Sequence, residues 1–399
     1  MKATVKLPAG FLASGVAAGV RSGKGPDLAL IVAPDGADAA AVFTRNQIQA
    51  APVTLSRNAL RSSGGRVHAV VANAGCANAV TGAPGEAAAR RVRARAAEVV
   101  GCREAEVFLA STGIIGKLLP ADKLCDALPG AWARLSTGGL EAASQAILTT
   151  DAGPKLAEAR FKVDGRTARI VLFGKGAGMI HPNMATMLGF ALTDAAVTPR
   201  FLKVALKRAV DASFNIITVD GDTSTNDTVV VLASGATGGP KKIDGGAAGE
   251  AFVTALTTVC EQVAWLIVRD GEGATRVLDL HVTGARTERE AGLAAHAIAT
   301  SPLVKTALHG GDPNWGRVIA AVGRSGAKLS PSGISMHLGK LALVVGGVPQ
   351  RYAEKSAAKL FSKERVMLTV ALGTGTASAR RLSADLGHDY ITCNADYRS

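Results

Sequence analysis

At 399 residues the chain is too long for one small core and long enough for two lobes, and a hydrophobic content of 48% gives it ample apolar surface to bury. Aromatic residues make up only 4%, so we expect a core of closely packed small aliphatic side chains. The formal net charge of +13 favours an anionic partner, which leaves nucleic acid, a membrane surface or a carboxylate metabolite to be distinguished.

The basic residues are spread along the chain. Their densest group is RRVRAR at 90–95, in an alanine-rich stretch where the pattern is typical of a solvent-exposed helix face. No basic stripe interleaved with aromatic residues is found, so nucleic acid is not the expected partner. We also find no stretch long and apolar enough to span a bilayer, and we expect no membrane partner.

The five cysteines are widely spaced and contain no CxxC pair. This pattern argues against a disulfide framework or a structural zinc site and predicts a cytoplasmic protein, because thiols stay reduced in that compartment. The apolar run from Phe11 to Val20 is interrupted by glycines and leads into a strand-like segment at 28–32. We therefore do not expect a signal peptide.

In the first half of the chain, apolar runs alternate with alanine-rich runs. The runs at 27–34, 66–74, 106–110 and 168–173 are predicted strands, and those at 85–100 and 139–148 are predicted helices. This alternation indicates a mixed α/β fold, in which functional side chains lie where strands end.

The sequence STG at 111–113 follows one of these strands. It offers hydroxyl groups and an unhindered backbone N–H, the donors that an acyl-transfer enzyme needs around a tetrahedral oxyanion. An ordinary turn uses the same residue types, so both interpretations stay open on spacing alone.

A glycine-rich loop in the centre of the chain leads from one apolar run to the next, through GKGAGMIHPNMATMLGF at 174–190. Thr186 stands behind the small residue Ala185 and before the second apolar run. A threonine in such a place can attack the preceding carbonyl, and hydrolysis of the resulting ester leaves a free α-amine. That amine, with a reference pKa of about 7.7–8, can act as the base for its own hydroxyl. The alternative is a strand that simply begins after a turn.

Beyond this loop, Thr198 and Pro199 are a helix start signal. The segment TVDGDTSTNDT at 218–228 is rich in oxygen ligands but lacks the glycine and the final glutamate of an EF-hand, so we expect no metal site there. A surface loop is predicted at 236–251 and a long amphipathic helix at 253–267. Glu272, between two glycines in DGEGAT, is either a helix-end charge or a ligand for a cation.

The last part of the chain begins with a predicted strand at 277–282 and a helix opened by the capping box Thr287…Glu290. A tight turn, GDPNWGR at 311–317, and strands at 334–345 and 366–372 follow. The chain ends in NADYRS at 394–399. Because chain ends usually fray, a motif at the last residue suggests a terminus held in a site.

These motifs, in this order, resemble those of the glutamate N-acetyltransferase/ornithine acetyltransferase family of arginine biosynthesis. KGAGMIHPNMATM and the terminal NADYRS are the most specific matches, and STG, DGDTSTNDT, DGEGAT and GDPNWGR accompany them. The resemblance covers essentially the whole chain.

The resemblance implies that the precursor cuts itself between Ala185 and Thr186, and that Thr186 then carries acetyl from N2-acetyl-L-ornithine to L-glutamate in a ping-pong cycle. It implies an oxyanion hole formed by Thr112 and Gly113. The residues it implies for substrate binding are Thr150, Lys175, Thr186, Glu272, Asn394 and Ser399. It implies no metal and no cofactor, and it leaves open whether acetyl-CoA serves as a second acetyl donor.

The implied fold is of the α/β (α+β) class, with layered mixed sheets flanked by helices in an N-terminal-nucleophile-like acyltransferase architecture. The expected division is an alpha chain, 1–185, and a beta chain, 186–399, of which 276–399 forms a smaller lobe. The two chains are expected to stay associated as a dimer of alpha–beta pairs that acts on small molecules.

Three other functions remain open on the sequence. An amidohydrolase or aminopeptidase of related architecture would use the same kind of nucleophile. A phosphate site at 174–178 lacks both the Walker spacing and the GxGxxG pattern. A nucleic-acid-binding protein is supported only by the net charge.

Overall fold

The computed structural model describes residues 5–23, 25–181, 187–239 and 241–396. They fall into two compact units. The first contains the described residues up to Asn215 together with Asp222–Ile267, and the second contains Ile216–Gly221 together with the described residues from Val268 onward. The predicted division of the chain at 185/186 is a different one, and it stays a prediction.

In chain order the strands are β1 (Leu12–Val16), β2 (Leu28–Phe43), β3 (Arg66–Asn73), β4 (Val107–Ser111), β5 (Lys155–Val163), β6 (Arg166–Lys175), β7 (Leu188–Thr193), β8 (Ile217–Thr218), β9 (Thr228–Ala233), β10 (Val277–Ala285), β11 (Ser335–Leu338), β12 (Leu341–Val345), β13 (Val348–Pro349), β14 (Arg365–Ala371) and β15 (Ala377–Ala384). The helices are α1 (Ala51–Ser62), α2 (Gly82–Val100), α3 (Ala121–Ala133), α4 (Leu140–Gln145), α5 (Pro199–Ala212), α6 (Gly246–Arg269), α7 (Glu288–Ala299), α8 (Pro302–Gly310), α9 (Trp315–Gly323), α10 (Glu354–Phe361) and α11 (His388–Asp396).

The first unit contains a mixed sheet in the order β4-β3-β2-β9-β7-β6-β5, with β1 paired to β2. β3 and β4 run parallel, as do β7 and β9, and the other neighbours are antiparallel. The long strand β2 joins two halves of the sheet, β4-β3 on one side and β9-β7-β6-β5 on the other. Its register with β3 shifts between Val32 and Ala37. Side chains from both halves belong to one core.

Alternation along β2 separates two layers of the core. Ala29 and Ile31 point into the core shared by the two halves of the sheet. Leu28, Leu30 and Val32 point the other way, into a second core that they share with α2 and α3. Because successive side chains of a strand face opposite sides, one buried strand serves both layers.

The other half of the sheet is covered by α5 and α6. α5 begins as predicted, with the Thr198 side chain accepting a hydrogen bond from Phe201 N, and its apolar stripe is buried. α6 contacts β5 through an edge-on pair of rings, Phe161 and Phe252.

α6 corrects two expectations. It begins at Gly246, so the end of the predicted loop at 236–251 is helical. By length and composition it could also cross a membrane, so the statement that no stretch qualifies was wrong. However, 56% of its most apolar window is buried inside the fold, and a helix that is apolar on most sides is typical of a protein core.

The second unit contains a sheet in the order β13-β12-β11-β14-β10-β15-β8, with its apolar face covered by α7 to α10. The predicted strand at 334–345 is interrupted, because Gly339 and Lys340 form a turn that folds it into the hairpin β11–β12. The capping residue Thr287 is confirmed at the start of α7. The predicted turn at 311–317 opens a helix, because Asn314 caps the N-terminus of α9. The mixed α/β class, with layered sheets flanked by helices, is confirmed.

Candidate active site

The loop after β4 presents two hydrogen-bond donors. The backbone N–H of Thr112 donates to the carbonyl of Asn73 at 2.9 Å, which continues the pairing of β3 and β4. In the described part of the chain, neither the Thr112 hydroxyl nor the Gly113 N–H has a hydrogen-bond partner. These two groups remain available to an oxygen of a ligand, as the predicted oxyanion hole requires.

Gly113 is required at its position by geometry. Its φ of +125° lies in the region that favours glycine, and an added Cβ would lie 2.5 Å from the carbonyl carbon of Gly75 and 2.6 Å from Cys76 N. The loop at 111–116 therefore lies directly against the loop at 73–79, and Ala77 N donates to Ile114 O at 3.1 Å.

Two buried asparagines hold these loops together. Asn226 Nδ2 donates to Ala77 O at 2.7 Å and to Ser111 O at 2.9 Å. Asn73 accepts from the Ser111 hydroxyl at 2.6 Å and donates to Cys76 O at 3.0 Å. Asn226 belongs to the segment 218–228, so this segment contacts both loops. The position of the Gly113 N–H depends on this network.

Lys175 lies at the end of β6, where its ammonium group is close to two polar side chains. Its Nζ is 2.8 Å from Thr149 Oγ1 and 4.0 Å from Asp151 Oδ2. The half-buried Thr150, predicted to bind substrate, stands between these two neighbours in the sequence. The structure thus brings Thr150 and Lys175 into one part of the first unit.

Asp151 contacts both lysines of this cluster and was not among the predicted site residues. Its carboxylate is fully buried and accepts from Lys155 Nζ at 2.7 Å and from Gly176 N at 2.7 Å. Burial by itself would raise the pKa of Asp151, but the charges of Lys175 and Lys155 and these hydrogen bonds hold the pKa below its ordinary value. The carboxylate therefore stays ionised at neutral pH. Lys155 lies four residues after Asp151, and this spacing of opposite charges is the feature of the sequence that could have indicated the pair.

Arg21 connects the two groups of predicted residues. Its guanidinium donates to Leu148 O at 3.1 Å, beside Thr149. Its backbone packs on Gly75, where an added Cβ would lie 2.6 Å from the Arg21 Cβ. Since Gly75 in turn contacts Gly113, the loop at 111–116 and the Lys175 cluster lie in the same region of the first unit. No local pattern in the sequence marks Arg21.

Ala185 and Thr186, the predicted cleavage site and nucleophile, lie outside the described residues. The residues that flank them are well placed by the sheet. Lys175 at the end of β6 pairs with Leu188 at the start of β7, and the Met187 carbonyl accepts from Thr228 N at 2.9 Å. The apolar run after the central loop forms β7, which begins at Leu188.

Glu272 and Asn394 are brought together in the second unit. Asn394 Nδ2 donates to Glu272 Oε2 at 2.9 Å, so the C-terminal helix α11 contacts the DGEGAT loop. An added Cβ on Gly273 would lie 2.3 Å from Tyr390 N, which makes glycine necessary at this contact. Burial and the charge of Glu272 raise the pKa of the nearby Cys393. Ser399 lies outside the described residues.

In the first unit this arrangement offers two unused donors for a developing oxyanion and a cation in a partly buried cluster, which can bind a carboxylate. In the second unit it offers a carboxylate and an amide, which can bind an ammonium group. The groups of the first unit suit acyl transfer, and those of the second unit suit recognition of an amino group.

The comparisons with known proteins agree with this chemistry. The model of the ArgJ family matches residues 12–399. The arginine biosynthesis bifunctional protein ArgJ of Symbiobacterium thermophilum is 46% identical over 99% of this chain and 98% of its own length. The protein of the same name from Chlorobaculum tepidum is 44% identical over 98% of this chain and 96% of its own length.

Among solved structures, the crystal structure of arginine biosynthesis bifunctional protein ArgJ from Bacillus halodurans is similar, with a TM-score of 0.51 and 40% identity. It matches 53% of this chain and 100% of that chain. On the family match and these identities, the chain belongs to the ArgJ family.

Proposed function

We propose that the protein is an acyltransferase that moves acetyl from N2-acetyl-L-ornithine to L-glutamate, giving L-ornithine and N-acetyl-L-glutamate. Membership of the ArgJ family supports a role in arginine biosynthesis. The observation that carries the proposal is the pair of donors at the end of β4, the Thr112 hydroxyl and the Gly113 N–H, which are held by two buried asparagines and have no partner in the described part of the chain.

The reaction proceeds in two halves. The Thr186 hydroxyl attacks the acetyl carbonyl of acetylornithine, with its own α-amine as base, and Thr112 and Gly113 stabilise the oxyanion. The intermediate collapses to an acetyl ester on Thr186 and releases the ornithine amine. The amine of glutamate then attacks the ester, and a second oxyanion collapses to N-acetylglutamate and free Thr186.

The same hydroxyl first cuts the chain between Ala185 and Thr186, which frees the α-amine that the reaction needs. The solved Bacillus halodurans chain supports this step, because the whole of it corresponds to 53% of the present chain. A fragment that begins at Thr186 also contains just over half of the chain. The alpha and beta fragments stay associated, and we propose a dimer of such pairs.

Both substrates carry an α-carboxylate, and Lys175 is its proposed partner. The Lys175 charge also favours the neutral form of the Thr186 amine, which is the form that can accept a proton. Glu272, with Asn394 beside it, is the proposed partner of the distal ammonium of ornithine, together with the carboxylate of Ser399. Thr150 is proposed to contact the substrate next to Lys175.

The protein needs no cofactor in this proposal, and acetyl-CoA is a candidate second acetyl donor. We place the protein in the cytoplasm, as its five unpaired cysteines suggest.

The test combines intact-mass analysis with an acetyl-transfer assay on the native sequence, Thr186→Ala and the conservative control Thr186→Ser. We expect two fragments for the native sequence, the second beginning at Thr186, and one full-length inactive chain for Thr186→Ala. Thr186→Ser keeps a hydroxyl and should still be cut. With acetylornithine, product should form only when glutamate is present.

An unbroken yet active native chain would contradict the proposed nucleophile. Steady release of acetate without glutamate would instead indicate a hydrolase. Formation of N-acetylglutamate from acetyl-CoA and glutamate decides whether the second donor is used.

A further inference from the structure

A large pocket in the first unit lies among residues that the proposed reaction does not use. Its volume is about 740 Å³, within the range of small-molecule sites, and it is bounded by α1 on one side and α5 on the other. Its floor is apolar and consists of β2 residues and neighbouring side chains. These floor residues are Ala39, Ala40, Ala41, Phe43, Leu60 and Val204.

Both walls of the pocket are cationic. On α1, Arg57 and Arg61 are four residues apart and line the pocket together. On α5, Lys203 and Lys207 are also four residues apart, Arg200 precedes Lys203 by three residues, and all three line the pocket. Like charges four residues apart destabilise a helix, so each helix carries a small cost that a bound anion would remove.

Within the described residues, carboxylates pair with two of these five cations. Arg200 pairs with Asp244 at 2.6 Å, and Lys207 pairs with Asp211 at 2.5 Å. Within the described ranges of the chain, Arg57, Arg61 and Lys203 have no carboxylate partner. The walls therefore keep three cations without an acidic neighbour.

Arg57 is held in place at the inner end of this group. Its Nη1 donates to Gln49 Oε1 at 2.8 Å, and its guanidinium carbon lies 5.0 Å from the centre of the Phe43 ring. Burial and the charge of Arg61 lower the pKa of Arg57. A guanidinium that is oriented by a ring and an amide and faces a second guanidinium is arranged to receive an anion.

We propose that this pocket binds a small phosphate-bearing molecule. Guanidinium groups match the geometry of phosphate oxygens, and cations on two facing walls suit an anion with more than one charge. The apolar floor beneath them suits an organic group attached to the phosphate. None of these residues belongs to the proposed acetyl-transfer site, so either proposal can be refuted without affecting the other.

The test is calorimetric titration of the full-length protein with inorganic pyrophosphate at constant ionic strength. We expect saturable binding that Arg61→Gln and Lys203→Gln each weaken by about tenfold, the usual scale for one charge-assisted hydrogen bond. The matched control is Arg208→Gln, which removes one positive charge from α5. Arg208 pairs with Glu250 at 2.7 Å and does not line the pocket, so its affinity should stay within about twofold.

Two further ligands test the class of molecule. Adenosine diphosphate should bind more tightly than pyrophosphate, because it adds an apolar, planar group over the floor. Citrate, a carboxylate of similar charge, should bind more weakly. Citrate binding as tight as that of pyrophosphate, equal weakening by all three substitutions, or no saturable binding at all would overturn the proposal. If the protein instead binds no anion but self-associates, and Lys203→Gln prevents this association, the surface is a contact between two copies of the chain and the proposal is wrong.

Discussion

Replacing Asp151 with asparagine should destabilise the first unit strongly. Asn has nearly the same shape as Asp but no charge. In the native structure the carboxylate faces Lys155 Nζ at 2.7 Å, and the exposed fraction is 2% for the Lys155 side chain and 0% for that of Asp151. The substitution therefore removes the negative charge that this buried ammonium group contacts at 2.7 Å.

The expected size of the effect follows from this burial. Removing one partner of a buried ion pair costs about 3–5 kcal/mol, whereas the loss of an exposed pair costs about 0–1 kcal/mol. Since a folded protein is typically stable by only about 5–15 kcal/mol, Asp151→Asn should remove a large part of the free energy of unfolding. Lys175 also loses the charge that lies 4.0 Å from its Nζ.

The measurement is urea unfolding followed by circular dichroism, with the double variant Asp151→Asn/Lys155→Met as the control. The double variant removes the buried ammonium as well, and it should recover much of the lost stability. The reasoning is refuted if Asp151→Asn unfolds within about 1 kcal/mol of the native sequence, or if the double variant is no more stable than the single one.

Two further predictions concern a buried lysine and a glycine. Burial lowers the pKa of Lys305 to about 8, against an ordinary value near 10.4, although Asp385 and Asp220 oppose the shift. The unfolded chain therefore binds more protons than the folded one between these values, and the free energy of unfolding should rise with pH across this window by up to about 3 kcal/mol. Lys305→Met should abolish this rise in pH-dependent urea titrations, and the exposed Lys359→Met should keep it; a rise that survives in Lys305→Met contradicts the assignment. Gly113→Ala should lower kcat by about 10²–10³ because the new Cβ displaces the N–H donor. Gly130→Ala, in a helix with open space around it, should leave kcat unchanged, and equal kcat in both variants would remove Gly113 from the oxyanion hole.

The regular elements could be predicted because their signals are local. The strand at 66–74 and the α5 start at Thr198–Pro199 each depend on a few adjacent residues, and β3 and α5 confirm them. The strand predicted at 27–34 is only the first part of β2, which continues to Phe43. Its full length depends on pairing first with β3 and then with β9, and these partners are distant in the sequence. The apolar length of α6 was likewise misjudged, since burial between layers is a tertiary property.

Residues of the candidate site could be predicted only where they belong to a recognisable motif. Thr112, Gly113 and Lys175 stand in recognisable sequences, and the structure places them in one unit. Asp151 and Arg21 stand in none, because their roles depend on partners brought together by folding. Arg21 contacts Leu148, which is 127 positions away in the sequence. Contacts of this kind leave no periodic pattern in either segment.

The charges of Asp151, Lys155 and Lys175 affect which group of a substrate this cluster can bind. One buried carboxylate, Asp151, faces two ammonium groups, and its Oδ1 is taken at close range by Lys155 and Gly176 N. Lys175 lies further away, at 4.0 Å from Oδ2, and the side chains of Asp151, Lys155 and Lys175 together carry one formal positive charge. A site with this charge favours a carboxylate and disfavours an ammonium group at the same place. The cluster should therefore receive the end that glutamate and acetylornithine share, and the distal group that distinguishes them must be recognised by other residues.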